Sequence, residues 1–348
     1  METIWFILVA LMLTGYAVFD GFDLGAGALH LVAARTEEDR RAVLQSIGPV
    51  WDGNEVWLLA AGGTLFYAFP LLYASSFSGF YLPLNIVLWL LLFRAIGIEF
   101  RMHLEERIWR EFFDVSFSLA SIVLIVFFGA ALGNVIRGVP LGANHYFFAP
   151  LWTDFLPRGE AGILDWYTVL CGVLTLVATA THGTLYLILK TEGELNARLR
   201  RILKGLWPVL VLLSVLAIPA TVLVRPGLLD NYRSVAAGWL IPALVGLALA
   251  GIYWFTRTGD ERKAFLSSCL YIVATLSGAA FALFPNLLPS TGNPANAITI
   301  YNAAAGRSSL VAGLGWWLVG MAIAIGYFVL VYSMFRGKVG ARTGGHGY

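Results

Sequence analysis

The sequence predicts an all-α polytopic membrane protein with about nine transmembrane helices, and three observations carry that reading. Hydrophobic residues make up 59% of the 348 residues and charged residues only 13%, about half the charged share of a soluble domain. The mean hydropathy is +0.76. Apolar runs of about 20 residues, the length that crosses a bilayer, recur from one end of the chain to the other. The net charge of +2 leaves no basic footprint for nucleic acid. Helices in lipid share no water-driven core, so length does not count domains here, and residues 1–348 read as a single integral membrane domain.

The predicted spans are 4–34, 51–70, 77–100, 115–136, 162–189, 204–224, 238–256, 264–285 and 309–335. The first begins almost at Met1, lacks a basic leader and a small-residue cleavage site, and outruns a signal peptide, so it reads as a retained span. The second is the weakest by hydropathy, because Trp51, Asp52, Asn54 and Glu55 crowd its start. Pro70, Pro83, Pro208 and Pro285 are expected at or near helix ends, where a missing N–H does least harm. Cys171 and Cys269 lie inside apolar runs and read as small packed side chains.

Charge sets the orientation. With the N-terminus outside, the inner segments hold 17 of the 23 Lys and Arg residues, Arg342 included, and the outer segments hold five, Arg158 included. Arg94 lies within a span. An odd number of crossings then puts the C-terminus in the cytoplasm. The outer loops 137–161 and 287–308 are long, and the first carries Tyr146, Phe147, Phe148, Trp152 and Phe155, an aromatic set suited to the membrane interface. An internal echo exists: Asp20-Gly21 to Leu31 precedes a charged run, as His182-Gly183 to Leu189 does later. The predicted architecture is therefore two four-helix bundles, about 1–137 and 160–286, plus one peripheral helix at about 309–335.

Ionisable groups within the spans are the candidate functional residues. A charge at membrane depth costs about 2.5–3.5 kcal/mol on insertion scales, so its presence points to use. At about 1.5 Å per residue, Asp20 and Asp23 lie roughly 24–28 Å along the first helix, in its inner half. Asp52 and Glu55 open the second helix, Arg94 and Glu99 close the third, and His182 sits in the inner half of the fifth. Asp20 and Asp23 are three apart, as are Asp52 and Glu55, so each pair shares a helix face. Gly21, Gly25 and Gly27 beside the first aspartates permit close helix approach. Such a set can relay protons, because burial and a neighbouring arginine push a carboxyl in opposite directions.

Plainer readings stand beside that one. Arg94 can simply lock two helices through Asp52 or Asp20. Asp52 near a helix N-terminus complements the dipole. Glu99, Arg101 and His103 can be solvated at the inner boundary. For Asp23, in mid-helix, no capping role exists. Redox and metal chemistry find no ligands in the chain: His30, His103, His145, His182 and His346 lack metal-ligand spacing, and Met1, Met12, Met102, Met321 and Met334 pair with no membrane histidine. Phosphate loops and nucleophile elbows are absent from the sequence. No catalytic residue, metal site or haem ligand is expected in this chain.

Two motifs carry a family resemblance. Asp20-Gly21-Phe22-Asp23-Leu24-Gly25 and Trp51-Asp52-Gly53-Asn54-Glu55-Val56-Trp57 resemble signatures of subunit II of cytochrome bd-type quinol oxidases. Ala61-Gly62-Gly63, Phe69-Pro70, Ser78-Gly79-Phe80-Tyr81, Arg94, Glu99-Phe100-Arg101, Phe284-Pro285 and Tyr301-Asn302-Ala303-Ala304 follow in the family's order. The match looks closer to the cyanide-insensitive branch. The resemblance implies a haem-free subunit of a bacterial inner-membrane respiratory enzyme that oxidises quinol and reduces oxygen to water. Haem b, in two copies, and haem d would be held by subunit I, where quinol is also oxidised. A small single-span subunit and membrane lipid are further implied partners. Carried over by motif, Asp52 sits in a cytoplasmic proton-uptake route, and Asp20, Asp23, Glu55, Arg94 and Glu99 are placed with it. Trp51 and Trp57 become the candidate contacts of a structural quinone. Two other classes stay open at this point: a secondary transporter with intramembrane carboxylates, and a purely structural scaffold.

Overall fold

The computed structural model describes residues 1–157 and 159–339. Arg158, Arg342 and His346 lie outside the described residues. Helices come in the order α1 (Glu2–Ala33), α2 (Glu37–Ile47), α3 (Trp51–Ala68), α4 (Pro70–Gly79), α5 (Tyr81–His103), α6 (Arg107–Arg137), α7 (Trp166–Lys190) and α8 (Gly193–Val224). Then follow α9 (Asp230–Ser234), α10 (Leu240–Thr258), α11 (Glu261–Leu283) and α12 (Arg307–Met334). A two-stranded antiparallel ribbon, β1 (Asn286–Leu288) with β2 (Ile298–Thr299), folds the loop before α12.

Among the described residues, eight helices are long and apolar enough to cross a membrane, one fewer than the sequence predicts. The ninth, α3, falls short of that composition, yet it packs along α1 at both of its ends. At one end Asn54 bonds Asp23 of α1, and at the other Tyr67 stacks obliquely on Trp5 of α1 with ring centroids 5.5 Å apart. Its 18 residues, at about 1.5 Å each, run antiparallel to α1 over most of that helix's depth. Phe69, restricted by the following Pro70, leaves helical geometry at φ −135°, ψ 65° and ends α3.

Several boundaries differ from expectation for one reason: a helix continues past its apolar run when polar residues find partners. α6 begins at Arg107 rather than 115, which places Asp114 inside it. α8 begins at Gly193, so Pro208 and also Pro219 are inside the helix and not near its end. α7 starts at Trp166, after Asp165 caps it by accepting from the Tyr167 and Thr168 N–H groups. Phe147, expected at the interface, is buried against Phe80, with ring centroids 4.9 Å apart.

α1 and α7 cross at glycines. A Cβ on Gly183 would come within 2.5 Å of the Gly25 backbone, and one on Gly25 would meet the Thr179 carbonyl. Gly27 likewise lies against Ser121 and Phe117 of α6. In lipid, helices associate by van der Waals fit more than by water expulsion, so this contact depends on small residues. Around it lies an apolar cluster including Phe22, Ala26, Leu29, Ile47, Leu185, Leu187 and Leu199. A second cluster, including Trp5, Phe69, Val139, Leu288 and Leu310, gathers the opposite end of the bundle with the ribbon. α12 lies along α1 and α3, joined by Trp5 Nε1 to the Leu310 carbonyl and by Tyr332 to Asn54, and most of its surface is exposed.

On the arginine-rich side, α2 caps the bundle. Thr36 and Asp39 form a capping box at its start. Asp39 accepts from Arg198 of α8 at 2.8 Å, and Glu37 accepts from Arg101 of α5 at 3.1 and 2.9 Å and from Arg110 of α6 at 3.0 Å. Partial burial pushes the Glu37 carboxyl up, but the Arg101 hydrogen bonds and the Arg101 and Arg110 charges outweigh that and leave it below the usual glutamate range. Burial likewise pushes Asp39 up, and the Arg198 hydrogen bond with the Arg35 and Thr36 N–H groups brings it below its usual range.

Two outcomes are expected. Gly25→Val or Gly183→Val should cost about 1–3 kcal/mol through overpacking against backbone, read as a lowered Tm in detergent, whereas Gly62→Ala, with open space around it inside α3, should hold Tm or raise it slightly. Both α2 carboxyls are depressed in the folded state. Their stabilisation is therefore complete above the ordinary carboxyl range and fades as pH falls through the lower folded values. The protection of the α2 amides, taken relative to their intrinsic exchange rate at each pH, should stay level from about pH 7 to 5 and fall below about pH 4. Tighter protection in acid would contradict the assignment.

Candidate functional site

One buried polar cluster joins α1, α3, α5 and α12. Asp20 and Arg94 are both fully buried. Arg94 donates through Nη1 to Asp20 Oδ2 at 2.8 Å and through Nη2 to Asp20 Oδ1, a two-pronged pairing of guanidinium and carboxylate. Of the two partners open to Arg94 by sequence, the structure takes Asp20 and leaves Asp52 aside. Glu55 lies 3.8 Å from Arg94 Nη1, with its side chain 23% exposed.

Asp23, one turn further along α1, has a different neighbour. Asn54 Nδ2 donates to Asp23 Oδ2 at 2.7 Å, and Tyr332 of α12 donates to Asn54 Oδ1 at 2.9 Å. Asp23 Oδ1, Arg94 Nε and the Tyr16 hydroxyl are buried without a protein partner. The i,i+3 spacing on α1 and the register of α3 bring these groups together. Asn54 and Tyr332 were not singled out by sequence. Asn54 stands within the Trp51–Trp57 motif, and Tyr332 is a polar side chain three residues before the end of an apolar run, which are the signals that could have flagged them.

Other predicted residues stand apart. Asp52, in the first turn of α3, is exposed, as is Glu99 at the end of α5. Trp51 is half-buried beside the central cluster. Trp57 stacks on Phe19 of α1 at 5.2 Å and meets Phe328 of α12 edge-on at 5.6 Å, with its Nε1 buried and unpartnered. His182 faces away, toward the Val18 carbonyl at 3.0 Å and the Ser268 hydroxyl at 2.7 Å, and stacks on Phe265 at 4.9 Å.

A second buried cluster went unread in the sequence. Asp114, only 1% exposed, is 2.5 Å from His30 Nε2 and accepts from Arg101 Nε at 3.0 Å and Arg40 Nη1 at 2.9 Å. Arg101 is therefore buried and engaged rather than solvated at the boundary. The sequence hid Asp114 because the predicted span began one residue after it. An earlier helix start, allowed by Arg107 and Glu111 pairing across one turn, would have exposed it.

The two buried histidines, His30 and His182, are thus hydrogen-bonded to protein groups, and the described residues include no group of three His, Cys, Asp or Glu side chains placed to hold a metal. The arrangement can hold charge, and through Asp23 it can exchange a proton without breaking an ion pair.

Comparison with known proteins agrees with the motifs. The family described as Cytochrome bd terminal oxidase subunit II matches residues 1–335. A Haemophilus influenzae protein named probable cytochrome oxidase subunit 2 is 32% identical, with 97% of this chain and 95% of that protein aligned. The Escherichia coli cytochrome bd-I ubiquinol oxidase subunit 2 is 32% identical, with 95% and 91% aligned. Among solved structures, the bd oxidase from Geobacillus thermodenitrificans superposes with a TM-score of 0.74 over 96% of this chain and 98% of the other at 20% identity, which shows a shared fold. Sequence motifs, helical architecture and family match together place this chain in the cytochrome bd terminal oxidase subunit II family.

Proposed function

We propose that this chain is the haem-free subunit II of a quinol:oxygen oxidoreductase, paired with a haem-bearing subunit I in a bacterial inner membrane. In that complex it contributes a proton-uptake route from the cytoplasmic side. The carrying observation is the buried cluster of Asp20, Arg94, Glu55, Asp23 and Asn54 behind an exposed Asp52. Exposure falls along α3 from Asp52 to the part-exposed Glu55 and then to buried Asp23 on α1, a graded path from solvent into the bundle. Asp23 Oδ1, Arg94 Nε and the Tyr16 hydroxyl offer unfilled hydrogen-bonding capacity there, and buried polar sites of this kind hold water that can carry protons onward. Glu99, exposed and at the far end of α5, is left as a mouth residue at most.

The haem-free reading is supported by His30 and His182 each being bonded within the protein. When bound in subunit I, haem b and haem d supply the electron transfer and oxygen chemistry, with quinol as the electron source. A small single-span subunit is compatible with the large exposed helical surface. For a structural quinone, Trp57 fits: its buried Nε1 donor lacks an acceptor and would bond a quinone carbonyl. Trp51, six residues and about 1.7 turns earlier on α3, is the second candidate contact. Taken this way, the whole chain works as one membrane domain with α12 at its edge.

Substitutions separate proton relay from scaffolding. Asp52→Asn and Asp23→Asn should keep haem content and slow oxygen consumption, by roughly tenfold or more for Asp23→Asn. Full turnover in both would remove these carboxyls from the mechanism. Asp20→Asn should instead strand the buried Arg94 charge, at a cost of about 3–5 kcal/mol, and be read as lost assembly and lost haem.

A further inference from the structure

The arginine-rich side of the bundle holds a cleft that the proton route does not use. It lies between α2, the end of α5 and the start of α6. One lobe has a volume of about 720 Å³ and is walled by Arg41, Arg101, Arg110 and His103 together with Glu37 and Glu105. A second lobe of about 330 Å³ adds Arg35, Arg40 and Arg107, and shares Glu37 and Arg110 with the first.

The balance of charge is positive after internal pairing. Glu37 is taken by Arg101 and Arg110, and Glu111 by Arg107 at 2.7 Å. Arg40 and Arg101 also serve Asp114. Arg41 remains 59% exposed, with its nearest carboxylate 4.0 Å away, beyond hydrogen-bond reach. Arg35 is exposed and, among the described residues, makes no side-chain ion pair. Arg40 Nε is buried without an acceptor. Glu105 also lines the first lobe, but six arginines stand against Glu37, Glu105, Glu111 and Asp114, so the wall keeps a positive excess that favours phosphate oxygens.

Its rim says where the phosphate comes from. Ile108, Trp109 and Phe112 on α6 and Phe100 on α5 are 75%, 51%, 52% and 50% exposed, next to Arg107 and Arg110. A soluble anion gains nothing from that apolar wall, whereas acyl chains lie along it. Tryptophan and arginine at one level mark the membrane boundary. Basic pockets between helices on the cytoplasmic side suit lipid headgroups. We propose that this cleft binds the phosphodiester of an anionic phospholipid in the inner leaflet, with Arg41 and Arg110 on the phosphate and the α5–α6 aromatic wall against the chains.

The test uses the delipidated oxidase complex, this chain with its partner subunit, titrated with short-chain phosphatidylglycerol and read by native mass spectrometry. One site should fill, and the Arg41→Gln/Arg110→Gln double variant should bind roughly thirtyfold more weakly, at about fivefold per arginine near an anionic lipid. Arg41→Gln alone, a change at an exposed side chain, should show about fivefold and covers the case in which the double variant does not assemble. Arg262→Gln, exposed on the same side but outside the cleft, should match wild type. Phosphatidylcholine should bind at least about tenfold more weakly than phosphatidylglycerol, and millimolar inorganic phosphate should not displace the lipid. Unchanged binding in the arginine variants overturns the proposal. So does displacement by inorganic phosphate, which would make this a soluble-anion site. Loss of the partner subunit with lipid binding intact would assign the cleft to the subunit contact instead.

Discussion

Arg94 and Asp20 hold each other in an interior that offers neither of them water, and the placement of three helices follows from it. The arginine reaches from α5 to α1, and α3 fits between them only by placing Glu55 near the same guanidinium and Asn54 on Asp23. A buried pair of this kind adds little net stability, because desolvation offsets attraction, but losing either partner is expensive. Its contribution is therefore to register. A slip of α5 by one turn would move Arg94 about 5.4 Å from Asp20 and leave both uncompensated.

That constraint explains why α3 crosses the bundle despite its weak hydropathy. Its polar start, Asp52 to Glu55, is not turned to lipid throughout: Asn54 is fully buried on α1 and α12, and Glu55 approaches Arg94. Hydropathy scores a residue as if it faced hydrocarbon. Where its partner is another protein group, the score understates the helix. The same reasoning accounts for α6, which extends two turns beyond its apolar run because Asp114 meets His30, Arg40 and Arg101.

Most of the architecture was legible in the sequence because bilayer thickness leaves few lengths for an apolar run to adopt. The candidate site was legible in part. Spacing of three put Asp20 with Asp23 on one face, and Gly25 beside them anticipated a close crossing, which α7 supplies through Gly183. Pair identities were not legible, since nothing in one sequence says whether Arg94 meets Asp20 or Asp52. Asn54 and Tyr332 were not among the candidate site residues because neutral side chains carry no penalty large enough to demand explanation. Pro208 inside α8 was also unforeseeable by apolar length alone, because the charged residues 193–204 continue the helix into water and onto α2 through Arg198.

The buried carboxyls differ in one respect that bears on the proposed proton route. Among the described residues four aspartates are buried: Asp20, Asp23, Asp114 and Asp165. Asp20 is clamped by Arg94, Asp114 by Arg40 and Arg101, and Asp165 by Arg137. Protonating a carboxylate tied to arginine would break an ion pair and leave the guanidinium without its counter-charge. Asp23 alone is held by a neutral amide, Asn54, and one of its oxygens has no protein partner. It can gain or lose a proton without dismantling an ion pair. On the proposed route, Asp20 and Arg94 would form the fixed wall of the site and Asp23 the member that changes state. The proposed route thus assigns its mobile proton to the one buried aspartate that, among the described residues, is left to an asparagine and not to an arginine.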